Sequence, residues 1–375
     1  MPSPDTIIVQ PWFTAMGHPA QSTLNTAKVI GVCKSMAYLI SDPRGNELLE
    51  KFAVELGHIG PVTRFYVPGT SLRIGTVLGI LALLRMRRRN AAIERVLFLD
   101  GYLLALVVMW PLTARLLQSV RSVAVICLAG PERLANYPLT YRLVSRFLSR
   151  QDVRIFLRTD ELAEAWRLAF PDVPTQRIDT LPSLEIPGAG QPVPPRSGDR
   201  QYKFGVIGQV RPGKSLEWLV PLFLKNPALG TLAVAGTFSI PEHRIKMPML
   251  EGYPYFANRF LTENEILEAA AAQDYLVALY DDWDARMEAA IIYVAARVGR
   301  PVIVYDRGWC GRVVKTFGCG VAVLQSSRPS EEFFRGLPRP GSDDYRQMQA
   351  GVLRFRDAHG GASSREVFLS KLRAH

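Results

Sequence analysis

Short apolar segments of strand length alternate with longer helical patterns along the first half of the chain. The strand-type segments are IIVQ, VTRFYV, RVLFLD, VAVICLA and VRIFLRT. Helical patterns separate them at residues 21–40, 71–90, 103–119, 139–150 and 160–170. This alternation is typical of βαβ units around a parallel sheet, and wholly apolar strands indicate a sheet covered on both faces. The pattern therefore predicts an α/β fold.

The alternation is interrupted by LPSLEIPGAGQPVPPRSGDR, which is dense in proline and glycine, and then restarts. Such a segment is typical of a domain boundary, and 375 residues suit two domains. We predict two Rossmann-like, doubly wound domains that face each other across a ligand cleft at the carboxyl ends of their strands. The predicted ranges are 1–190, a linker at 191–200, a second domain at 201–350, and a helical segment at 351–375 that can pack back on the first domain.

The net charge of +11 is concentrated in the first half of the chain. Residues 64–95 hold seven arginines and one glutamate, and residues 115–158 hold eight arginines and two acids. Such a surface attracts polyanions, namely nucleic acid, acidic lipid headgroups or diphosphates. The stretch RIGTVLGILALLRMRRRN joins an apolar helical pattern to an arginine cluster. That pattern is typical of an interfacial membrane anchor, and equally of a partly buried helix with a solvated basic end.

Compartment signals point to the cytoplasm. The four cysteines lack the spacing of a zinc site, which favours reduced thiols and no bound metal. The N-terminal residues lack the pattern of a secretory signal, and the longest uncharged run, Gly101–Ala114, is too short to cross a bilayer. We therefore expect a cytoplasmic protein without a transmembrane helix.

The turn GQVRPGKS follows a strand pattern and precedes a helical one. Gly208 and Gly213 allow a close backbone approach to a ligand, while Arg211 and Lys214 supply two cations. A helix N-terminus favours anions, and cationic side chains there form strong hydrogen bonds to phosphate. The turn is therefore a candidate phosphate site, the alternative being a surface turn with two solvated cations.

The segment DRGWCGRVV is a second candidate anion site, because its glycines lie between a strand end and a helix start. With Gly308 and Gly311 at these positions, the backbone amides of Trp309, Cys310, Gly311 and Arg312 can face the anion. The alternative is a tight turn that needs glycine for its shape alone.

Acidic residues in YDDWDARMEAA follow another strand pattern. Asp284 and Glu288 are four residues apart and would share one helix face, where a carboxylate can bind sugar or ribose hydroxyls. A helix cap would explain the aspartate equally well.

Three strings in the second half resemble retaining glycosyltransferases of the GT-B fold, in particular the family 4-like group. They are FGVIGQVRPGKSLEWLVP, NRFLTENEILEAAAAQDYLVALY and VAARVGRPVIVYDRGWCGRVVKTFGCGVAV. The resemblance implies that Arg211 and Lys214 bind the diphosphate of a nucleotide-sugar donor such as a UDP- or GDP-sugar. It also implies that no metal and no further cofactor are needed.

The chain departs from the family pattern at several positions. Gln209 stands where the family usually has arginine, and Arg312 where it usually has glutamate. The family's pair of glutamates would fall at Arg286 and Val294, neither of which is acidic. We expect Asp284 or Glu288 to replace that pair.

Candidate catalytic residues lie in the first half. His18 is on the loop after the first strand, Asp100 ends a strand, and Glu132 follows another. Each is a candidate base for the acceptor hydroxyl if the reaction inverts configuration. A retaining reaction, as in the resembled family, requires no dedicated base, and the sequence leaves both possibilities open.

The leading prediction is a glycosyltransferase on the inner face of the cell membrane, acting on a lipid-linked or other glycan acceptor in polysaccharide or glycolipid synthesis. Its first domain would contact the acceptor and the membrane, and its second would hold the donor. The alternatives are a nucleotide-sugar 2-epimerase of the same architecture and a degenerate glycosyltransferase acting as a binding subunit. Nucleic-acid binding is disfavoured because no recognisable motif accompanies the charge.

Overall fold

The computed structural model of the chain forms two compact units, each with its own parallel β-sheet. The first unit comprises Met1–Leu184 with Ser364–His375, and the second comprises Glu185–Ser363. The corresponding boundaries predicted from the sequence lie near residues 190 and 350. The structure describes residues 6–13, 19–31, 35–41, 47–66, 72–89, 94–99, 103–117, 120–185, 201–281, 285–326 and 328–373.

The sheet of the first unit has seven strands in the order β3-β2-β1-β4-β5-β6-β7, and all neighbouring strands are parallel. Its central strands are buried along almost their whole length, in keeping with their apolar sequences. The strands are β1 (Thr6–Phe13), β2 (Ser35–Ser41), β3 (Val62–Tyr66), β4 (Arg95–Phe98), β5 (Ser122–Ile126), β6 (Val153–Leu157) and β7 (Ile178–Thr180).

Helices connect these strands, and none of the described helices in either unit is long and apolar enough to cross a membrane. In the first unit they are α1 (Pro19–Ile30), α2 (Glu47–Ile59), α3 (Leu72–Arg89), α4 (Leu103–Val108), α5 (Trp110–Leu117), α6 (Glu132–Ala135), α7 (Pro138–Arg150) and α8 (Asp160–Ala169).

Two helix predictions in this unit were wrong. The pattern at residues 21–40 predicts a single helix, but α1 ends at Ile30 and the second part is strand β2, which pairs with both β1 and β3. The helix predicted at residues 103–119 is divided into α4 and α5 at Met109. Pro111 explains this break, because its ring lacks an N–H and clashes with the carbonyl four residues earlier.

The second unit has a six-stranded parallel sheet in the order β10-β9-β8-β11-β12-β13. Its strands are β8 (Lys203–Ile207), β9 (Thr231–Ala235), β10 (Phe256–Ala257), β11 (Tyr275–Ala278), β12 (Val302–Tyr305) and β13 (Gly320–Val323). Its helices are α9 (Leu216–Lys225), α10 (Pro241–Lys246), α11 (Glu263–Ala271), α12 (Ala290–Val298), α13 (Gly308–Phe317), α14 (Glu331–Arg335) and α15 (Asp343–His359).

Two hydrophobic clusters cover the faces of this sheet. One contains Leu276, Val304 and Phe355, and the other contains Phe204 and Tyr275. Alternate residues of each strand thus point into opposite clusters, as the geometry of a strand requires. The covered faces leave the strand ends as the places where polar side chains can gather, which matches the two Rossmann-like halves predicted from the sequence.

The final helix, α16 (Gly361–Arg373), belongs to the first unit from Ser364 onward. Phe368 is fully buried in the core that also contains Ile8 and Leu97. The Lys371 ammonium lies 2.9 Å from an oxygen of Asp179 and donates to the Thr180 carbonyl at 2.7 Å. One apolar anchor and one ion pair therefore fix this helix to the amino-terminal sheet.

Candidate active site

A glycine-containing turn joins β8 to α9 at the carboxyl edge of the second sheet. Gly208 (φ 104°) and Gly213 (φ 81°) both adopt left-handed backbone conformations that disfavour other residues. Gly208 follows β8 directly, and its N–H donates to the Ala235 carbonyl at 2.9 Å. This hydrogen bond and the two positive φ angles set the path of the turn ahead of the helix.

Lys214 lies within this turn and is buried, with 8% of its surface exposed. Its Nζ atom is 5.6 Å from the centroid of the Tyr280 ring, a cation–π distance. No hydrogen bond or ion pair links that atom to any other residue that the structure describes. Burial, and secondarily the neighbouring Arg211, lower the pKa of Lys214 to about 7. The turn therefore holds a buried amine that a bound anion would strongly favour in its charged form.

Ser215 connects the turn to two neighbouring strands. It is fully buried and has a φ of 58°, and every other described residue with positive φ is a glycine. Its hydroxyl donates to Asp281 Oδ2 at 2.9 Å and lies 3.3 Å from the Tyr305 hydroxyl. The Asp281 N–H in turn donates to the Gly213 carbonyl at 2.8 Å. These bonds hold the lysine-bearing turn against the carboxyl ends of β11 and β12.

The residues after β11 and β12 converge on the same edge. Arg307 donates hydrogen bonds to the carbonyls of Tyr280 at 2.6 Å and Asp281 at 3.0 Å. Burial, and in smaller part the Glu288 carboxylate, raise the pKa of the Cys310 thiol to about 12, so the thiol is neutral. Burial also raises the pKa of Tyr280. Its ring faces Lys214 and its carbonyl accepts from Arg307, so Tyr280 links the lysine turn to the residue that precedes α13.

Glu288 accepts a hydrogen bond from the Tyr293 hydroxyl at 2.7 Å. It is partly exposed, so its carboxylate is oriented by the protein and remains within reach of a ligand. Asp284, the other acid predicted to replace the family's glutamate pair, lies outside the described residues. Of these two acids, Glu288 is the one whose surroundings the structure describes.

The start of α13 is built by close packing. Gly308 has a φ of 53°, and a Cβ atom there would overlap the Ala285 carbonyl. The Trp309 N–H donates to that carbonyl at 2.7 Å, and the Gly311 N–H donates to the Arg307 carbonyl at 3.1 Å. The Trp309 indole is buried in the core, 5.8 Å from the Tyr293 ring. Both amides thus have partners within the protein, and Trp309 serves the packing beneath the site.

The structure gathers Gly208, Arg211, Lys214, Glu288 and Cys310 around the carboxyl ends of β8, β11 and β12. Glu132 is an exposed residue at the start of α6 in the first unit. The other two candidate bases, His18 and Asp100, lie outside the described residues.

Sequence reasoning missed the Ser215–Asp281–Tyr305 network and the roles of Tyr280 and Arg307. The strand pattern YLVALY places Tyr280 at a strand end, which is a usable signal for a ligand-facing residue. No sequence signal indicates the hydroxyl network, because its members come from three separate strand ends.

The chain resembles solved GT-B structures over its whole length. HepE from Anabaena, solved in complex with UDP, has a TM-score of 0.72 at 11% identity, covering 99% of this chain and 100% of that one. Further structures of HepE contain UDP-glucose, or UDP and glucose. A glycosyltransferase from Rickettsia africae has a TM-score of 0.69 at 10% identity, with full coverage of both chains.

A Listeria monocytogenes protein assigned as a UDP-N-acetylglucosamine 2-epimerase has a TM-score of 0.60 at 10% identity, covering 100% of this chain and 97% of that one. No family model and no curated protein matches the sequence. At these identities the likeness establishes the fold, and it is the GT-B fold with two Rossmann-like domains that the sequence motifs predict.

Proposed function

We propose that the protein is a glycosyltransferase that uses a nucleotide diphosphate sugar as donor. The observation that carries the proposal is the buried Lys214 amine on a glycine turn at the strand edge, without a protein anion beside it among the described residues. A diphosphate placed there would supply the missing counter-charge. UDP is the first nucleotide to test, since the GT-B structure of HepE contains it.

Electrostatic stabilisation of the departing diphosphate is the main catalytic contribution we assign to this site. When the bond between the sugar and the phosphate breaks, negative charge grows on the leaving oxygen. Cationic groups already in place lower the energy of that state without reorganisation, and they are most effective where water is excluded. Arg211 and Lys214 would perform this role without a metal ion, and Glu288 would bind hydroxyls of the sugar or ribose.

In this proposal the first unit binds the acceptor. His18, Asp100 and Glu132 are the candidate bases if the sugar is transferred with inversion. In this proposal the transferred sugar is a hexose and the acceptor is a lipid-linked glycan. The protein would act in the cytoplasm, at the inner face of the cell membrane.

The described surface of α7 supports the membrane contact. Leu139 and Leu143 are 72% and 40% exposed, respectively, on the same face as exposed Arg142, Arg146 and Arg150. The opposite face is buried. This basic face with protruding leucines suits the interface of an anionic bilayer, where arginines bind headgroups and leucines enter the acyl region. The side chains of the arginine cluster at residues 87–89 lie outside the described set.

We expect the double substitution of Leu139 and Leu143 by serine to weaken binding to phosphatidylglycerol vesicles roughly tenfold, because two partly inserted leucines together contribute at least about 1.4 kcal/mol. Vesicle co-sedimentation measures the effect. The matched control replaces Leu224 and Ile245, which are exposed in the second unit, by serine. Equal losses in both variants would argue against α7 as the membrane-binding face.

The function itself is tested by a panel of UDP, GDP, ADP and TDP in thermal unfolding, followed by product analysis with the matching sugar nucleotide. A ligand at about 100 times its dissociation constant adds roughly 2.7 kcal/mol of stability. Transfer of the sugar to an acceptor in a membrane extract, only when the protein is present, supports the proposal. Isomerisation of the sugar nucleotide without an acceptor would identify the 2-epimerase alternative, and binding without turnover would identify a binding subunit.

A further inference from the structure

A cation-lined cavity lies at the amino ends of the strands in the first unit, opposite to the edge where GT-B ligands are expected. Its wall is formed by Thr6, Arg95, Ser122 and Arg154, at or next to the first residues of β1, β4, β5 and β6. The C-terminal part of α16 covers it.

Four cationic residues and no acidic residue line this cavity: Arg95, Arg154, Lys371 and Arg373. Asp179 lies in an adjoining pocket, where its carboxylate pairs with Lys371. Arg154 Nη1 makes a long contact of 3.5 Å with the Lys371 carbonyl. Asp152 and Asp179 both interact electrostatically with Arg154. Two described acids therefore stand beside four cations, and the cavity keeps an excess of positive charge.

Arg95, in the wall of the cavity, has unused hydrogen-bonding capacity. The Nε atom of Arg95 is buried and has no hydrogen-bond partner among the described residues. A buried donor without a partner costs about 1–3 kcal/mol, which a bound oxygen atom would recover. The cavity volume of about 60 Å³ equals the space of about two water molecules, which suits a single small oxyanion.

We propose that this cavity is a binding site for a phosphate-sized oxyanion that joins α16 to β4 and β6. Tetrahedral oxyanions accept several hydrogen bonds at once, and guanidinium groups are matched to them in charge and geometry. The anion would contact Arg95 and Arg154 from the sheet and Arg373 from the helix. Binding would therefore strengthen the attachment of the C-terminal helix, independently of any donor in the second unit.

Hydrogen–deuterium exchange of the full chain tests this site, with inorganic phosphate as the probe and sodium chloride at equal ionic strength as reference. We expect phosphate at ten times a millimolar dissociation constant to slow exchange of the α16 amides about tenfold. The Arg373→Gln variant should bind phosphate about tenfold more weakly, as expected for the loss of one charge-assisted hydrogen bond. Arg95→Gln should show the same loss.

The control is Arg365→Gln, which removes the same charge from an exposed position of α16 outside the cavity. It should retain full protection by phosphate. Lys214→Met should also retain it, which separates this site from the proposed donor site. Absence of protection in the unmodified protein, or equal behaviour of the Arg373 and Arg365 variants, would overturn the proposal.

Discussion

Replacing Lys214 with methionine should raise the free energy of unfolding at pH 7 by on the order of 4 kcal/mol. Burial lowers the pKa of this lysine from 10.5 to about 7. Between these two values the unfolded chain binds more protons at this group than the folded chain does, so stability should rise with pH. Methionine has a similar shape and no charge, and it removes both the cost at pH 7 and this dependence on pH. Urea unfolding at pH 7 and pH 9 measures the effect, and hydrogen exchange of the β8 and β11 amides gives a second, local measurement.

The same substitution should weaken binding of the nucleotide diphosphate about 100-fold, since it removes a charged hydrogen bond from a buried site. Greater stability together with lost binding is expected where a protein retains an unfavourable buried charge for its ligand. Lys225→Met, at the exposed end of α9, is the matched control and should change neither property. A Lys214 variant that is less stable and still binds the nucleotide would contradict this assignment.

Gly236 follows the neighbouring strand β9, and we expect its replacement by alanine to disrupt the turn that carries Lys214. Gly236 has a φ of 145°, and a Cβ atom there would overlap the Gly208 carbonyl oxygen. The oxygen belongs to the backbone, so relief requires the turn itself to move. We expect a loss of about 2 kcal/mol in stability from this overpacking, together with roughly tenfold weaker nucleotide binding.

The control for this variant is Gly252→Ala. Gly252 also has a positive φ, 70°, but has no atom within 4 Å of an added Cβ. It therefore carries the conformational cost of a left-handed alanine without the collision. Thermal unfolding and nucleotide titration of both variants separate the two effects. Equal nucleotide affinity in the two variants would show that close approach of the backbone at Gly236 does not shape the site.

The fold of the second unit could be predicted in more detail than that of the first. Its strands carry uniform apolar runs and its turns carry glycines, so local sequence and final structure agree. Ser35–Ser41 shows the limit of such reasoning, because SMAYLIS has no clear strand pattern and becomes a strand through pairing on both sides. Pairing between distant segments overrides local preference there. The short strand Ile178–Thr180 was missed for the same reason.

For the candidate site, the sequence indicated charges and glycines but not how they are arranged. Lys214 was identified because a cation on a glycine turn before a helix has a simple physical role. The burial of that lysine against Tyr280 depends on a neighbouring strand, so it has no local signal. Trp309 illustrates the converse, since its position at a helix start suggested an anion contact while its side chain and N–H are both used in packing.

Titration with UDP-glucose at pH 8, in two buffers of different ionisation enthalpy, tests the central claim most directly. The free Lys214 is mostly neutral at that pH because its pKa is about 7. A diphosphate beside it favours the charged form, and the diphosphate of UDP-glucose does not itself titrate in this range. We predict uptake of close to one proton per molecule of UDP-glucose bound at pH 8, falling towards zero at pH 5.5. Binding without proton uptake at pH 8, or no binding of any sugar nucleotide, would contradict it.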